Sequence, residues 1–324
     1  MAKKNFEAQL EALDRLTEQP VEIWTEPLRA ALRQRYNYVV AKAADRAGQE
    51  RIVELIPDLL AAFDRFFEDA VKTDPQCWAK NALSRALASL ELQDAAPFLR
   101  GLRHVQMEPV WGGRSDTAGS LRGTCALALV QCRELPEPEL LRHLVSAFVD
   151  RDKSVCVEVA RAIEHVGSPS AALLLRLRAE IGDDEPEVLG ACYASVLRIE
   201  GTSALTWASK FLATEDDASG EAALAMAATH SPEAFTMLRD RWRKASGSWF
   251  SSVLLSAIAL TRQSEATDFL LDLVKQEAPR AEQAVEALLR SMPCDETVKR
   301  LTALVRGNAR LERVFAESQP TLRP

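Results

Sequence analysis

Apolar residues recur along the chain at intervals of three and four positions, which places them on one side of an α-helix. The first clear stripe comprises Ile52, Leu55, Ile56, Leu59, Leu60, Phe63, Phe66 and Phe67. The segment Thr73-Asp74-Pro75 follows, and Asp or Thr can cap the first turn of a helix in which Pro is tolerated. We therefore expect a second helix from about Gln76 to Glu91, and hence a helix–turn–helix unit.

This unit recurs toward the C-terminus. The aspartates that open its second helix are Asp74, Asp116, Asp150 and Asp183, at intervals of 42, 34 and 33 residues. The long first interval contains an insertion, residues 108–115. A single unit cannot bury both of its apolar faces, so we expect the units to stack. Stacking predicts that the small residues of the second helices are buried, namely Ala82, Ala126, Ala160 and Ala191.

The stretch from Asp150 to Gly167 resembles the second helix of the HEAT repeat, which runs roughly D-P-D-P-E-V-R-R-A-A-A-E-A-L-G-E-L-G. Asp74-Pro75 keeps the opening pair, and Leu121-Arg122 keeps the Val-Arg pair. Cys156 replaces that arginine in its own unit, so the ladder of Asp–Arg contacts typical of the family is expected to be interrupted there. The resemblance covers about residues 50 to 306, and it implies an all-α fold, a right-handed α-α superhelix of stacked helix pairs.

Three segments follow from this pattern. Residues 1–50 are expected to form an N-terminal helical cap, interrupted at Pro20 and Pro27. Residues 51–306 form the repeat solenoid, and residues 307–324 form the end of a C-terminal helix and a tail. Terminal units of solenoids usually have a more polar outer face because they lack a neighbour on one side.

Composition narrows the class of protein. The net charge of −7, from 40 basic and 47 acidic residues, does not attract phosphate backbones, so nucleic acid is an unlikely partner. The chain opens on a charged amphipathic stretch, and no apolar run approaches the roughly 18 residues of a membrane span. Six cysteines without a C-x-x-C pair favour reduced thiols. We therefore expect a soluble, cytoplasmic protein.

No group of residues in the sequence matches a catalytic or cofactor-binding motif. The four histidines form no H-x-x-x-H pair, and neither a P-loop nor a nucleophile elbow is present. Cys125 and Cys132 lie two helical turns apart, with Cys156 in the next unit, and three such thiolates could form part of a tetrahedral metal site. Cys125 occupies a small-residue position and Cys132 a large apolar one, so packing is the favoured interpretation. We expect no enzymatic activity, no cofactor and no bound metal.

The insertion is the most individual feature, since it is expected to combine Trp111 and Arg114 with two glycines in a loop between units. Insertions in solenoids often lie on the binding face; alternatively, Trp111 folds back on the helix ends and the glycines only make the turn. By resemblance to HEAT proteins the second helices line the concave side, where Trp78, Arg85 and Arg161 face away from the core. These five residues are the candidate partner-binding set, although exposed residues of this kind can also be without function.

The favoured function is a non-catalytic scaffold that presents a concave helical surface to another protein. Two alternatives stay open. A nucleic-acid-binding protein, similar in fold to the HEAT-like DNA glycosylases, would use Arg85, Arg122, Arg161 and the basic run at residues 239–244. An enzyme subunit similar to the HEAT-containing bilin lyases is the other alternative, and no residue specifically supports it.

Overall fold

A computed structural model describes residues 2–291 and 294–318, with side chains from Phe6 onward. The described residues fold mainly into α-helices, as the apolar pattern predicts, and their single sheet has two strands. None of the helices in these ranges combines the length and the apolarity needed to cross a membrane. The contacts within the chain divide it into two units, Met1–Val166 and Gly167–Pro324, a division that the repeat pattern does not predict.

The first unit consists of helix pairs and one β-hairpin. Its helices are α1 (Ala2–Leu16), α2 (Thr25–Leu32), α3 (Asn37–Gln49), α4 (Ile56–Arg65), α5 (Ala70–Thr73), α6 (Trp78–Ser89), α7 (Ala96–Leu102), α8 (Gly119–Leu129), α9 (Glu137–Ala147) and α10 (Lys153–Val166). Helices α3, α6, α8 and α10 pack side by side in chain order, and we call them the second-helix layer. Helix α2 packs on α3 and α4 on α6, whereas α7 contacts both α6 and α8, and α9 contacts both α8 and α10.

The second unit repeats this arrangement without a hairpin among its described residues. Its helices are α11 (Pro169–Ile181), α12 (Pro186–Glu200), α13 (Leu205–Ser209), α14 (Asp217–Ala227), α15 (Pro232–Trp242), α16 (Ser248–Leu260), α17 (Ser264–Lys275), α18 (Ala281–Arg290), α19 (Asp295–Val305) and α20 (Ala309–Ser318). Helices α12, α14, α16, α18 and α20 pack consecutively, and α11, α15, α17 and α19 lie against them.

Burial of the small residues follows the prediction in three cases out of four. Ala82, Ala126 and Ala160 are buried. Ala191 is only half-buried, so its predicted burial is wrong. One position earlier, the Glu221 side chain of α14 lies against Gly190 of α12, where an added Cβ would collide with the Glu221 carboxylate.

The structure differs from the sequence-based expectation at two places, Pro27 and the insertion. Pro27 does not interrupt a helix but lies in the first turn of α2, where its missing N–H has no helical partner to lose. The insertion is not a loop but a β-hairpin, in which β1 (Met107–Val110) pairs antiparallel with β2 (Gly113–Asp116). Val110 pairs with Gly113, which leaves Trp111 and Gly112 as a two-residue turn. Gly112 has a φ of +85°, a conformation that favours glycine.

The predicted aspartate contacts are present in the first unit. The carboxylate of Asp74 accepts hydrogen bonds from the backbone N–H groups of Ala79 (2.8 Å) and Lys80 (3.0 Å) at the start of α6. Arg122 bridges two successive turns, because its guanidinium contacts Asp116 and Asp150, each at 2.7 Å. These contacts tie the helix starts of neighbouring pairs together.

The sequence predicts that this ladder is interrupted at Cys156. Its Sγ lies 3.2 Å from the backbone carbonyl oxygen of Asp150. A neutral thiol at this distance can donate a weak hydrogen bond, but it cannot continue a series of ion pairs.

Candidate partner-binding site

The five predicted binding residues fall into two groups. Trp78, Trp111 and Arg114 lie at or before the start of a helix, whereas Arg85 and Arg161 lie within helices. Trp78 is the first residue of α6, and Trp111 and Arg114 lie on the hairpin that precedes α8. Arg85 lies two turns further along α6, about 10 Å from Trp78 at the helical rise of roughly 1.5 Å per residue. Arg161 lies in the C-terminal half of α10.

The two arginines on the helices are engaged in exposed ion pairs. Arg85 contacts Asp45 of α3 at 2.9 Å, and Arg161 contacts Glu158 of its own helix at 2.6 Å. Exposed pairs of this kind usually contribute about 0–1 kcal/mol to stability. A partner that binds here would have to compete with these carboxylates, which does not favour Arg85 and Arg161 as the centre of a binding site.

Trp78 has an aromatic neighbour that the sequence analysis missed. Its ring centroid lies 5.5 Å from that of Tyr38, with the ring planes at 56°, and Phe6 extends the group with a centroid 6.4 Å from that of Tyr38. Tyr38 and Trp78 are 44% and 49% exposed. Both lie in the first turn of a helix of the second-helix layer, so the two rings form one half-exposed aromatic surface.

Trp111 does not fold back on the helix ends. It is fully exposed at the tip of the hairpin, and Met107 and Val110 on β1 are exposed as well. Burial of a large apolar side chain is the usual source of its stabilising effect, about 25 cal/mol per Å² removed from water. Trp111 gains none of this in the isolated chain. Packing therefore does not explain the aromatic residue at this position.

The base of the hairpin is held by a buried glutamate. One carboxylate oxygen of Glu108 accepts hydrogen bonds from the backbone N–H of Gln76 (2.6 Å), the side-chain amide of Gln106 (2.6 Å) and the hydroxyl of Thr117 (2.7 Å). The Gln106 amide also donates to the backbone carbonyl of Asp74 at 2.8 Å. The hairpin is thus attached directly to the turn that precedes α6.

Buried charges concentrate around this attachment. Asp74 and Lys80 are both completely buried and lie 3.0 Å apart, and the Lys80 ammonium also donates to the carbonyl of Phe66 at 3.1 Å. Within residues 6–291 and 294–318, every charged residue that is buried belongs to this network: Asp74, Lys80, Glu108 and Arg122. Removing charges from water carries a penalty of several kcal/mol per ion, so this concentration calls for a specific explanation.

Hydrogen bonds lower the pKa of two carboxylates at this attachment, those of Glu108 and Asp116. Burial raises the pKa of Glu108, but the hydrogen bonds from Thr117, Gln106 and Gln76 outweigh it and leave the pKa below its ordinary value. Burial likewise opposes ionisation of Asp116, and the N–H groups of Gln106 and Ala118 together with Arg122 lower its pKa. Cys77 differs, because burial raises its pKa to about 11. Its thiol is therefore protonated and is a poor nucleophile.

The turn before α6 is strained and is held from two sides. Gln76 and Cys77 have φ values of 59° and 55°, a left-handed conformation that costs of order 1–3 kcal/mol for a non-glycine residue. Glu108 of the hairpin fixes the N–H of Gln76. From the other side, the Asn37 amide at the start of α3 donates to the Asp74 carboxylate at 3.0 Å and to the Pro75 carbonyl at 3.3 Å.

These contacts bring one edge of the first unit together. Because the same turn is bonded to the start of α3 and to the base of the hairpin, the aromatic pair and the hairpin flank the same turn. We call this surface the aromatic edge, comprising Tyr38, Trp78, Val110, Trp111 and Arg114. The tip of its hairpin part is exposed, and the base is hydrogen-bonded through the buried Glu108.

The cysteines of the proposed thiolate alternative are buried in separate surroundings. Cys125 lies against Gly101 of α7, whereas the Sγ of Cys132 lies 3.8 Å from the Leu92 carbonyl. In the described ranges no group of three His, Cys, Asp or Glu side chains is placed to hold a metal ion. The absence of a metal in solution stays a prediction, which elemental analysis can test.

Comparison with known proteins does not assign the chain to a family. No protein-family model matches the chain, and no curated protein matches it either. The assignment of function therefore depends on the residues of the aromatic edge and on the network that supports them.

Proposed function

We propose that this chain is a non-catalytic scaffold of the HEAT-like α-solenoid type that binds another protein at the aromatic edge of its first unit. The single observation that carries the proposal is the fully exposed Trp111 at the tip of a hairpin whose base is fixed by buried charges. We further propose that the helix pairs form a right-handed α-α superhelix, with the second-helix layer on its concave side.

The packing of the helices supports the HEAT-like assignment. Second helices lie side by side in each unit, and Arg122 connects the aspartates of two successive turns, as the resemblance implies. Stacked repeats of this type create extended surfaces whose usual function is binding.

The energetics of the network support a binding function for the hairpin. Buried ion pairs are often replaceable by apolar residues without loss of stability, because their desolvation penalty offsets their attraction. A core made only for stability would have no need of Asp74, Lys80 and Glu108 at one place. Together they fix the position of an arm that buries little apolar surface itself, and tryptophan and arginine are the residues most enriched in binding hot spots.

The chemistry of the buried groups supports a non-catalytic role. The carboxylates of Asp74 and Glu108 accept hydrogen bonds from backbone N–H groups that they position. Burial lowers the pKa of His104, so the imidazole is neutral at physiological pH, and it contacts the side chain of Gln106 at 3.1 Å. These groups are engaged in structural hydrogen bonds.

The proposal is tested by affinity purification from the source cell with matched tryptophan variants. Trp78→Ala and Trp111→Ala are compared with Trp249→Ala, because Trp249 in α16 is 49% exposed, the same as Trp78. We expect the wild-type chain and the Trp249 variant to retain the same stoichiometric protein, and the other two variants to lose it. Retention of that protein by both edge variants would contradict the proposal.

The same assay ranks the predicted arginines by their contribution to capture of the partner. We expect Arg114→Ala to weaken capture, since its guanidinium lies on the arm beside the exposed apolar tip. We expect smaller effects for Arg85→Ala and Arg161→Ala, because both side chains already have carboxylate partners.

A further inference from the structure

We infer that the partner contacts this site through an acidic, extended segment that adds a third strand to the free edge of β2. This inference rests on the proposed function and names the kind of partner segment that the aromatic edge accepts. Strand addition gives affinity through main-chain hydrogen bonds, and alternate side chains give specificity.

The hairpin has one strand edge that is open to pairing. A sheet of two strands leaves one edge of each strand without a neighbouring strand. On β1 that edge is weakened by Pro109, which has no N–H to donate. The other strand, β2, contains no proline and is exposed from Gly113 to Ser115.

The register of the hairpin places the backbone of Arg114 on the free edge of β2. Val110 and Gly113 pair with each other across the two-residue turn, so the next pair, Pro109 and Arg114, directs its backbone groups away from the partner strand. Arg114 is exposed, and a free strand edge of this kind is a template for pairing. The edge is only four residues long, which matches a short segment better than a large sheet.

The exposed positive charge of the hairpin favours an acidic partner segment. Arg114 is the one exposed charged residue between Pro109 and Ser115. Its guanidinium donates to the carbonyl oxygen of Met107 at 2.6 Å, and no carboxylate is among its contacts in the described part of the chain. The nearby acids do not neutralise it, since Glu108 is buried in the network and Asp116 pairs with Arg122.

A second arginine at the same edge has similar surroundings. Arg35 directly precedes Tyr36 and α3, and its guanidinium contacts the Tyr36 hydroxyl at 2.9 Å and lies 4.9 Å from the centre of that ring. In a chain of net charge −7, two such exposed arginines near aromatic rings complement carboxylates set among apolar side chains. On an added strand, a carboxylate directly opposite Arg114 would form a favourable cross-strand pair.

The test uses a random library of 12-residue peptides displayed on phage, selected on the full-length chain. We expect the selected peptides to alternate Asp or Glu with apolar residues. Fluorescence anisotropy of a selected peptide should give about a tenfold weaker Kd for Arg114→Glu. Arg133→Glu, at an exposed position elsewhere in the first unit, is the matched control and should leave the Kd unchanged.

Two further measurements distinguish strand addition from other modes of binding. Peptide binding should slow amide hydrogen exchange in Gly113–Asp116. Exchanging one Glu of the peptide for Lys should restore binding to the Arg114→Glu chain. No enriched peptides, enriched basic peptides, unchanged binding to Arg114→Glu, or slowed exchange elsewhere only would each overturn the inference. Occupation of the edge by a second copy of the chain, seen as a dimer by light scattering that Arg114→Glu dissociates, would overturn it as well.

Failure of this inference is separable from failure of the proposed function. If the cellular partner depends on Trp111 but does not slow exchange in β2, the site is correct and the acidic strand is wrong. If the partner is independent of both Trp78 and Trp111, the proposed function itself fails.

Discussion

The two units stack their helix pairs in a similar way but differ in the polar residues that they bury. Both pack second helices side by side, yet only in the first unit are charged residues buried among the described part of the chain. In the second unit the buried polar residues are Ser195, Ser219, Ser231, Ser251, Thr261 and Thr297. Stacked helix pairs therefore do not require buried charge, and the unit that buries charged residues is also the unit in which the hairpin lies.

The helix starts show the difference most clearly. In the second unit the hydroxyl of Ser231 accepts a hydrogen bond from the N–H of Ala234 at 3.1 Å, a local N-cap. The ion pair of Glu215 with Arg241 at 2.7 Å lies near the surface, with both side chains partly exposed. In the first unit the cap of α6 is Asp74, paired with a lysine that is itself fully buried.

The largest expected effect is at the buried pair. Lys80→Met leaves Asp74 buried without its counter-charge, which typically destabilises a protein by about 3–5 kcal/mol. The matched control is Arg300→Met in the second unit, where the ion pair with Asp268 is about half exposed and about 0–1 kcal/mol is expected. Urea denaturation followed by circular dichroism measures both. A loss below about 1 kcal/mol for Lys80→Met would mean that the pair is not important for stability.

The next effect concerns the attachment of the hairpin. Glu108→Ala leaves the N–H of Gln76 and the amide of Gln106 without this acceptor, and we expect a loss of about 2 kcal/mol. Hydrogen exchange should also accelerate throughout β1 and β2. Glu134→Ala, at an exposed position in the same unit, should change stability by less than about 0.5 kcal/mol. Unchanged exchange in the hairpin would show that other contacts hold it.

Comparing the units also shows which elements of the structure the sequence predicts and which it does not. Apolar spacing predicted the helices because each pair buries its own stripe, and the aspartates predicted the helix starts because capping is local. The hairpin was missed, although two glycines between short segments are a recognised hairpin signal. Gly112 occupies the turn and Gly113 begins the second strand.

The candidate site was predicted only in part. Trp78 and Trp111 were identified from residue type and position, but the exposure of Trp111 depends on contacts of Glu108 with Gln76, 32 positions earlier in the chain. Tyr38 was missed because its neighbour Trp78 lies 40 positions further on. Such contacts arise from the packing of helix pairs, and no local pattern encodes them.

A smaller, pH-dependent effect is expected in the second unit. Hydrogen bonds from the Gly247 N–H, Arg241 and Ser246 lower the pKa of Glu215 to about 2. The pKa in the unfolded chain is about 4.3, so ionised Glu215 stabilises the fold above that pH, and this contribution is lost as the pH falls through about 2. Glu215→Gln should make stability depend less on pH between these values. An unchanged slope in acid denaturation would contradict the assignment.

The smallest expected change in stability belongs to Trp111, and it accompanies the largest expected change in binding. The most direct measurement is calorimetric titration of the chain and its Trp111→Ala variant with the purified protein that both the wild-type and the Trp249→Ala chains capture, beside urea denaturation of each chain. We predict a Kd about 30-fold weaker for Trp111→Ala, corresponding to about 2 kcal/mol, with stability unchanged within about 0.5 kcal/mol. An unchanged Kd would contradict the account, because the exposed tryptophan on its rigid arm would then have no part in binding.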